Sequence, residues 1–292
     1  MARQGKMEER KEEKGRPDHN RQKKAAVIND FTSFGRCSLA VTIPILSAMK
    51  VQCCPVPTAF FTNHTGFDSF SWMDNTERLD DYISEWKKLD LRFDAIATGF
   101  LGSRAQVDFV LRFVEAFKAE STVVCIDPVM GDYGKLYATY DMTLAESMRG
   151  LLDVADILTP NLTEACILAG VPYRTDISDS ELAELCGALA SRRASKIVVS
   201  GIPRGGNLVN YIYERGRGPE VCAEPKIGVD RSGTGDVFAS VILGDAVNGV
   251  GFADSVRKAS AFTAKAVRRS FEMGLPEKDG LAIEEVLGEL AR

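Results

Sequence analysis

The 292-residue chain has only two histidines, His19 and His64. So small a supply of imidazole argues against a histidine metal centre or a Ser–His nucleophile. Its seven cysteines are odd in number, contain no Cys-x-x-Cys pair, and mostly sit in apolar runs. They read as reduced, buried thiols of a cytosolic protein. No Walker segment G-x-x-x-x-G-K-[ST] occurs, which excludes a P-loop enzyme. No apolar run reaches the roughly 18–20 residues of a membrane span. The first residues lack the apolar core of a signal peptide. Basic residues are not in excess, 36 against 41 acidic for a net charge of −5, so no nucleic-acid partner is expected. These absences place the protein in the cytoplasm, away from membranes.

What is present is ordinary for a globular protein: 45 % hydrophobic and 26 % charged residues. Charge is unevenly spread. Residues 1–24 carry nine Lys/Arg and five Asp/Glu and almost nothing that could be buried, so they read as a disordered tail. Residues 25–292 are then acidic and read as a single domain. An acidic body repels a phosphorylated ligand, so any phosphate site has to be built locally from backbone dipoles or metal.

Strand-like and helix-like runs alternate from Ala25 onward. Strands are predicted over 25–30, 51–61, 94–98, 122–126, 155–158 and 196–200, with a hairpin of 208–213 and 220–224. Helices are predicted over 36–49, 76–89, 103–119, 161–169, 179–191, 233–247, 252–269 and 283–290. This alternation implies an α/β fold with a largely parallel sheet. Ligands in such sheets bind beyond the carboxyl ends of the strands. That rule selects Asp30, Thr98–Gly99, Asp127–Pro128, Thr159–Pro160–Asn161 and Ser200–Gly201.

Four segments carry chemistry. In Ser232-Gly233-Thr234-Gly235-Asp236, two glycines open a helix whose first amides are free donors for an anion. Asp236, in the first turn, is placed as a base for phosphoryl transfer to an alcohol. Helix capping is the structural alternative. Asp127, delivered by an apolar strand and stopped by Pro128, suits Mg²⁺ or a turn. Asn161 and Glu164 read either as a capping pair or as a second phosphate–metal element. Phe60-Phe61-Thr62-Asn63-His64-Thr65-Gly66-Phe67 could wrap a small aromatic substrate, with His64 alternatively a hydrogen-bonded structural residue.

Taken in order, these segments resemble the ribokinase-like superfamily, and more narrowly its vitamin B6 (pyridoxal/pyridoxamine) kinase branch. Gly233-Thr234-Gly235-Asp236 resembles the anion-hole and base motif. Ile126-Asp127-Pro128-Val129-Met130-Gly131 and Pro160-Asn161-Leu162-Thr163-Glu164 resemble the two metal–phosphate motifs. Thr62-Asn63-His64-Thr65-Gly66 is similar to the S-N-H-T segment of B6 kinases, and Gly99-Phe100-Leu101-Gly102-Ser103 to their G-Y-L-G-S. The resemblance covers residues 25 to about 269.

It implies a three-layer α/β/α sandwich and ATP-dependent phosphorylation of the 5-hydroxymethyl group of a B6 vitamer. Asp236 would be the base, and the amides of Gly233, Thr234 and Gly235 the anion hole. Asp127 and Glu164 would organise Mg²⁺. Asp127, Thr159, Asn161, Glu164 and Ser200 would meet ATP, and Asp30, Asn63, His64, Thr65, Gly66 and Phe100 the pyridine. A homodimer is implied, with 51–61 as a candidate interface strand; a monovalent cation such as K⁺ stays open. The loop after Gly131 would close over the site.

Two departures stand out. Asp30 occupies the place of a common Ser, where a carboxylate would pair with a ring nitrogen or substrate amine. Phe100 replaces the usual Tyr, keeping the stacking face without the hydroxyl. Two rival functions remain. One is a hydroxymethylpyrimidine kinase of the same fold, although 29–34 is not Gly-rich and residue 236 is Asp. The other is a silent B6-binding protein on a kinase scaffold.

Overall fold

Nine strands form one sheet in the computed structural model, which describes residues 18–291. In chain order they are β1 (Lys24–Thr32), β2 (Gln52–Phe61), β3 (Trp72–Asp74), β4 (Ala95–Thr98), β5 (Val123–Ile126), β8 (Ile157–Leu158), β9 (Lys196–Arg204), β10 (Asn207–Glu214) and β11 (Glu220–Pro225). A separate two-stranded hairpin is made of β6 (Gly131–Asp132) and β7 (Lys135–Leu136). The sheet order is β11-β10-β9-β8-β5-β4-β1-β2-β3. Its six central strands are parallel; β3, β10 and β11 are antiparallel additions at the edges.

Eight α-helices cover the two faces: α1 (Leu39–Ala48), α2 (Leu79–Lys88), α3 (Arg104–Phe117), α4 (Met142–Ser147), α5 (Leu162–Ala169), α6 (Asp179–Ala190), α7 (Thr234–Asn248) and α8 (Phe252–Glu272). Side chains alternate along β1. Ala26 and Ile28 join the core under α2 to α6, while Ala25 and Val27 join the core under α1, α7 and α8. Burial of both faces explains why this strand is a continuous apolar run. The three-layer sandwich expected from the sequence is the one observed.

The chain leaves β1 for β2 on one side and returns to β4 on the other. That reversal opens a crevice at the carboxyl ends of β1 and β4, which is where an open α/β sheet binds its ligand.

Several local expectations change. Residues 1–17 of the expected tail lie outside the described residues, but within 18–24, though mostly exposed, Asn20 and Lys23 are tied to the body and Lys24 opens β1. Asn20 bonds the Asp90 carbonyl and the Arg92 amide, and Lys24 is buried with its ammonium on the Gln22 carbonyl. Hydrogen bonding of polar side chains to backbone, invisible to a hydrophobicity criterion, holds this stretch. β2, whose prolines suit an edge or an irregular strand, pairs with β3 only through its last three residues, and its register with β1 shifts between Asn29 and Phe31. The Pro57 carbonyl accepts from Asn75 Nδ2 at 2.8 Å. The run 283–290 forms two short 3₁₀ turns in place of a helix. All seven cysteines are free, four of them buried.

Candidate active site

The elements converge on a cavity of about 630 Å³ at the crevice. Helix α7 begins at Gly233, whose φ of 82° is left-handed, and a Cβ there would lie 2.1 Å from the Arg36 carbonyl. Only glycine meets both conditions. The first helical bond is Val237 N–H to the Gly233 carbonyl at 2.9 Å. The amides of Thr234, Gly235 and Asp236 therefore precede any helical acceptor and line the cavity with the positive end of the helix dipole.

Asp236 stands among them. Burial raises its pKa from 3.8 to about 6, and the charge of Asp30 adds to the rise. The Ser38 backbone and the Asn29 amide, 3.3 Å away, oppose the rise by favouring the charged form. A carboxylate of that basicity accepts a proton more readily than an ordinary Asp and is still ionised at neutral pH.

Asp127, just past β5, is raised to about 8 by burial and by the neighbouring Asp236 charge. Glu164 is buried and pushed well above the usual carboxylate range by burial and by Asp127. It is held firmly: Oε1 accepts the Met130 N–H at 3.1 Å and Oε2 the Asn161 N–H at 2.8 Å. Asn161 returns the bond, accepting the Glu164 N–H at 3.0 Å, and its Nδ2 donates to the Gly131 carbonyl at 2.7 Å. The same two side chains thus build the capping box and line the cavity, so capping does not exclude a place in the site. Thr159 lines the same wall, its hydroxyl buried without a protein partner.

Two hard carboxylates suit Mg²⁺ completed by substrate phosphates better than a metal cage. Among the described residues, no group of three or more His, Cys, Asp or Glu could hold an ion. Ser200 also lines the cavity, but β9 does not end there. It continues to Arg204 through a bulge, where the Gly201 N–H donates to Asn210 Oδ1 at 3.1 Å.

At the other end, Asp30, His64, Thr65, Gly66, Phe61 and Phe100 surround the cavity. Asp30 is 5 % exposed and its pKa is raised by burial. The Thr32 hydroxyl donates to it at 2.7 Å. Phe100 presents a ring held edge-on by Phe61 and Tyr140. His64 has no free ring nitrogen: Nδ1 accepts the Gly66 N–H at 3.1 Å, so Nε2 carries the proton donated to the Lys278 carbonyl at 2.7 Å. It clamps the 64–66 turn to the C-terminal region and offers the cavity only a carbon edge. Asn63 does not reach the cavity. Its Nδ2 donates to the Ser69 carbonyl at 2.7 Å and its Oδ1 accepts the Thr62 hydroxyl at 2.8 Å, closing the loop on itself.

Sequence reasoning missed Asn29, Ser38, Tyr133 and Tyr137, all of which line the cavity. Asn29 and Ser38 lay inside segments read as strand and helix. The tyrosines belong to the β6–β7 hairpin, which was seen only as a closing loop. That hairpin leans across the opening, with the Tyr133 hydroxyl donating to Asp230 at 2.5 Å and the Gly134 N–H to the Thr163 hydroxyl at 2.9 Å.

A buried carboxylate beside a free helix start, with two further carboxylates on an α/β sandwich, is the arrangement of an alcohol phosphotransferase of the ribokinase-like class. The phosphomethylpyrimidine kinase family profile matches residues 43–280. A pyridoxal kinase of Arabidopsis thaliana is 32 % identical over 200 residues, 65 % of this chain and 63 % of that protein's length. A pyridoxine/pyridoxal/pyridoxamine kinase of Bordetella pertussis is 26 % identical, with 86 % of this chain and 90 % of that one covered. Among solved structures, a Bacteroides thetaiotaomicron protein provisionally assigned as a phosphomethylpyrimidine kinase superposes with a TM-score of 0.91 at 37 % identity, covering 94 % and 96 % of the two chains. One of its crystal forms contains pyridoxal. The chain belongs to the phosphomethylpyrimidine kinase family, on the side of it where B6 kinases are found.

Proposed function

We propose that this protein transfers the γ-phosphoryl group of ATP to the 5-hydroxymethyl group of a B6 vitamer, yielding the 5′-phosphate and ADP. The observation that carries the reading is one cavity with two distinct ends. One end has an aromatic face, at Phe100, beside a buried carboxylate, Asp30. The other has the start of α7, with Asp127 and Glu164 opposite.

The acceptor hydroxyl attacks the γ-phosphorus while its proton passes to Asp236, and the bond to the ADP oxygen breaks. The amides of Gly233, Thr234 and Gly235 stabilise the charge on the moving phosphoryl group. Asp127 and Glu164 are the residues placed to hold Mg²⁺, which when bound supplies charge neutralisation at the phosphates. Thr159, Asn161 and Ser200 serve the nucleotide. Thr65 and Gly66 serve the pyridine, with His64 shaping their turn. The hairpin carrying Tyr133 and Tyr137 excludes water and so limits wasted ATP hydrolysis.

The test is a coupled ATP assay with Mg²⁺, in K⁺ or in Na⁺, offering pyridoxal, pyridoxamine, pyridoxine and hydroxymethylpyrimidine separately. Turnover on the B6 vitamers should exceed that on the pyrimidine. Turnover confined to the pyrimidine would keep the mechanism and move the substrate.

Asp30 should favour a vitamer that brings a positive charge. Asp30→Ser is expected to lower the ratio of pyridoxamine to pyridoxal kcat/KM about tenfold, equivalent to about 1.4 kcal/mol. A ratio unchanged within twofold would remove Asp30 from vitamer choice.

The free thiols support a reducing, cytoplasmic compartment. A homodimer is supported by an exposed apolar strip at the sheet edge, where Phe60, Phe70, Trp72 and Met73 are 37 to 59 % exposed. Trp72→Glu/Met73→Glu should convert a dimer to a monomer by sedimentation equilibrium. A dimer undisturbed by both charges would place the interface elsewhere.

A further inference from the structure

Asn29 lies on β1 immediately before Asp30 and is 4 % exposed. Its amide makes three contacts of definite sense. Oδ1 accepts the Asp30 N–H at 2.9 Å and the Phe100 N–H at 2.7 Å. Nδ2 points at the Asp236 carboxylate, 3.3 Å from its Oδ1. Two backbone donors on one oxygen settle the amide orientation, because a flipped amide would set its own NH₂ against both of them. The neighbouring strand is shaped to this side chain, since a Cβ at Gly99 would lie 2.3 Å from it. One side chain therefore ties the carboxylate on α7 to the backbone of the residue whose ring faces the acceptor end of the cavity.

We propose that Asn29 is a positioning residue for phosphoryl transfer. It fixes the Asp236 carboxylate relative to the acceptor ring resting on Phe100, so that hydroxyl and base meet at hydrogen-bond distance. The inference rests on the acceptor-kinase reading above. Asn29 touches no reacting atom and acts through Asp236 and Phe100.

The choice of a neutral donor has a chemical reason. A Lys or Arg in this place would orient the carboxylate as well, but a full positive charge would quench its proton affinity. An amide orients it and leaves it basic. Small errors in such an alignment are costly, of the order of a hundredfold in rate for about 1 Å.

Two variants separate the contacts. Asn29→Asp keeps the size of the side chain and both accepted N–H bonds, and it replaces the donated bond with a like charge. Asn29→Ala removes all three contacts. With ATP and pyridoxal, kcat should fall about a hundredfold in both, while KM for ATP stays within twofold of wild type. KM for pyridoxal should rise in Asn29→Ala, which frees Phe100, and stay near wild type in Asn29→Asp. In an Asp236→Asn background, Asn29→Ala should change the residual kcat less than twofold, because the group it orients is gone. Wild-type turnover reports on the acceptor reading, and the ratio of variant to wild type reports on Asn29. An Asn29→Asp kcat within threefold of wild type would overturn the proposal. So would an Asn29→Ala loss of equal size in both backgrounds, which is the signature of a scaffold residue.

Discussion

Asp236→Asn should lower kcat on the preferred B6 vitamer by about 10²- to 10⁴-fold, the range for loss of a general base. KM for ATP should hold within about threefold, because the backbone amides at the start of α7 are untouched. The wild-type pH profile carries a linked signature. With Asp236 raised to about 6, kcat/KM should fall about tenfold per pH unit below that value and level off above it. In Asp236→Asn that acid limb should vanish along with most of the rate. Both are read from the same coupled assay run from pH 5 to 8. A variant as active as wild type would remove Asp236 from the chemistry and reopen the reading of a silent binding protein.

The second large effect couples activity to stability. Asp127 is raised from 3.8 to about 8. Between those values the folded, ligand-free protein holds a proton that the unfolded chain has lost. Stability therefore falls as pH rises through that window, and the cost is complete above about pH 8. Asp127→Asn removes the cost. Its ligand-free melting temperature should exceed that of wild type by about 2–8 °C at pH 8.5, from a gain of about 1–2 kcal/mol. The difference should close toward pH 4, where both side chains are neutral. The same variant should lose about 10²- to 10³-fold in kcat/KM for MgATP. Differential scanning fluorimetry across pH, beside the kinetic assay, reads both. A variant less stable than wild type at pH 8.5 would show that Asp127 supports the fold.

This trade follows from placing three carboxylates, Asp127, Glu164 and Asp236, around one cavity. Burial raises all three, and like charge adds to it: Asp236 acts on Asp127, Asp127 on Glu164, and Asp30 on Asp236. Such a cluster favours neutralisation, by protons or, on the proposed function, by a divalent cation.

The sequence carried the α/β layering because both faces of the central strands are buried and therefore apolar throughout. It also carried the positions of Asp236, the glycine-opened start of α7 and the two carboxylate segments, all of which line the cavity. Each of these sits where a strand stops or a helix starts, and glycine, proline and capping residues mark such points locally. Asn161 and Glu164 show the limit of that legibility. Their three-residue spacing declares a capping box, but nothing in it says that Glu164 also faces Asp127 across the sheet.

Other features were decided by tertiary structure alone. Asn63 and His64 are adjacent in one motif, yet one is spent on its own loop and the other on the carbonyl of Lys278, more than 200 residues away. Ser200 looked like a strand end because the apolar run stops there, but pairing with β10 carries the strand to Arg204. Asn29 looked like an ordinary polar residue at the end of β1. Its proposed role depends on Gly99, Phe100 and Asp236, which two other segments bring to it. Local signals fix where the chain turns, because backbone conformation is a property of neighbouring residues. Which side chains meet is settled by long-range pairing, and the Asn29 amide finds Phe100 and Asp236 only when the sheet is assembled around it.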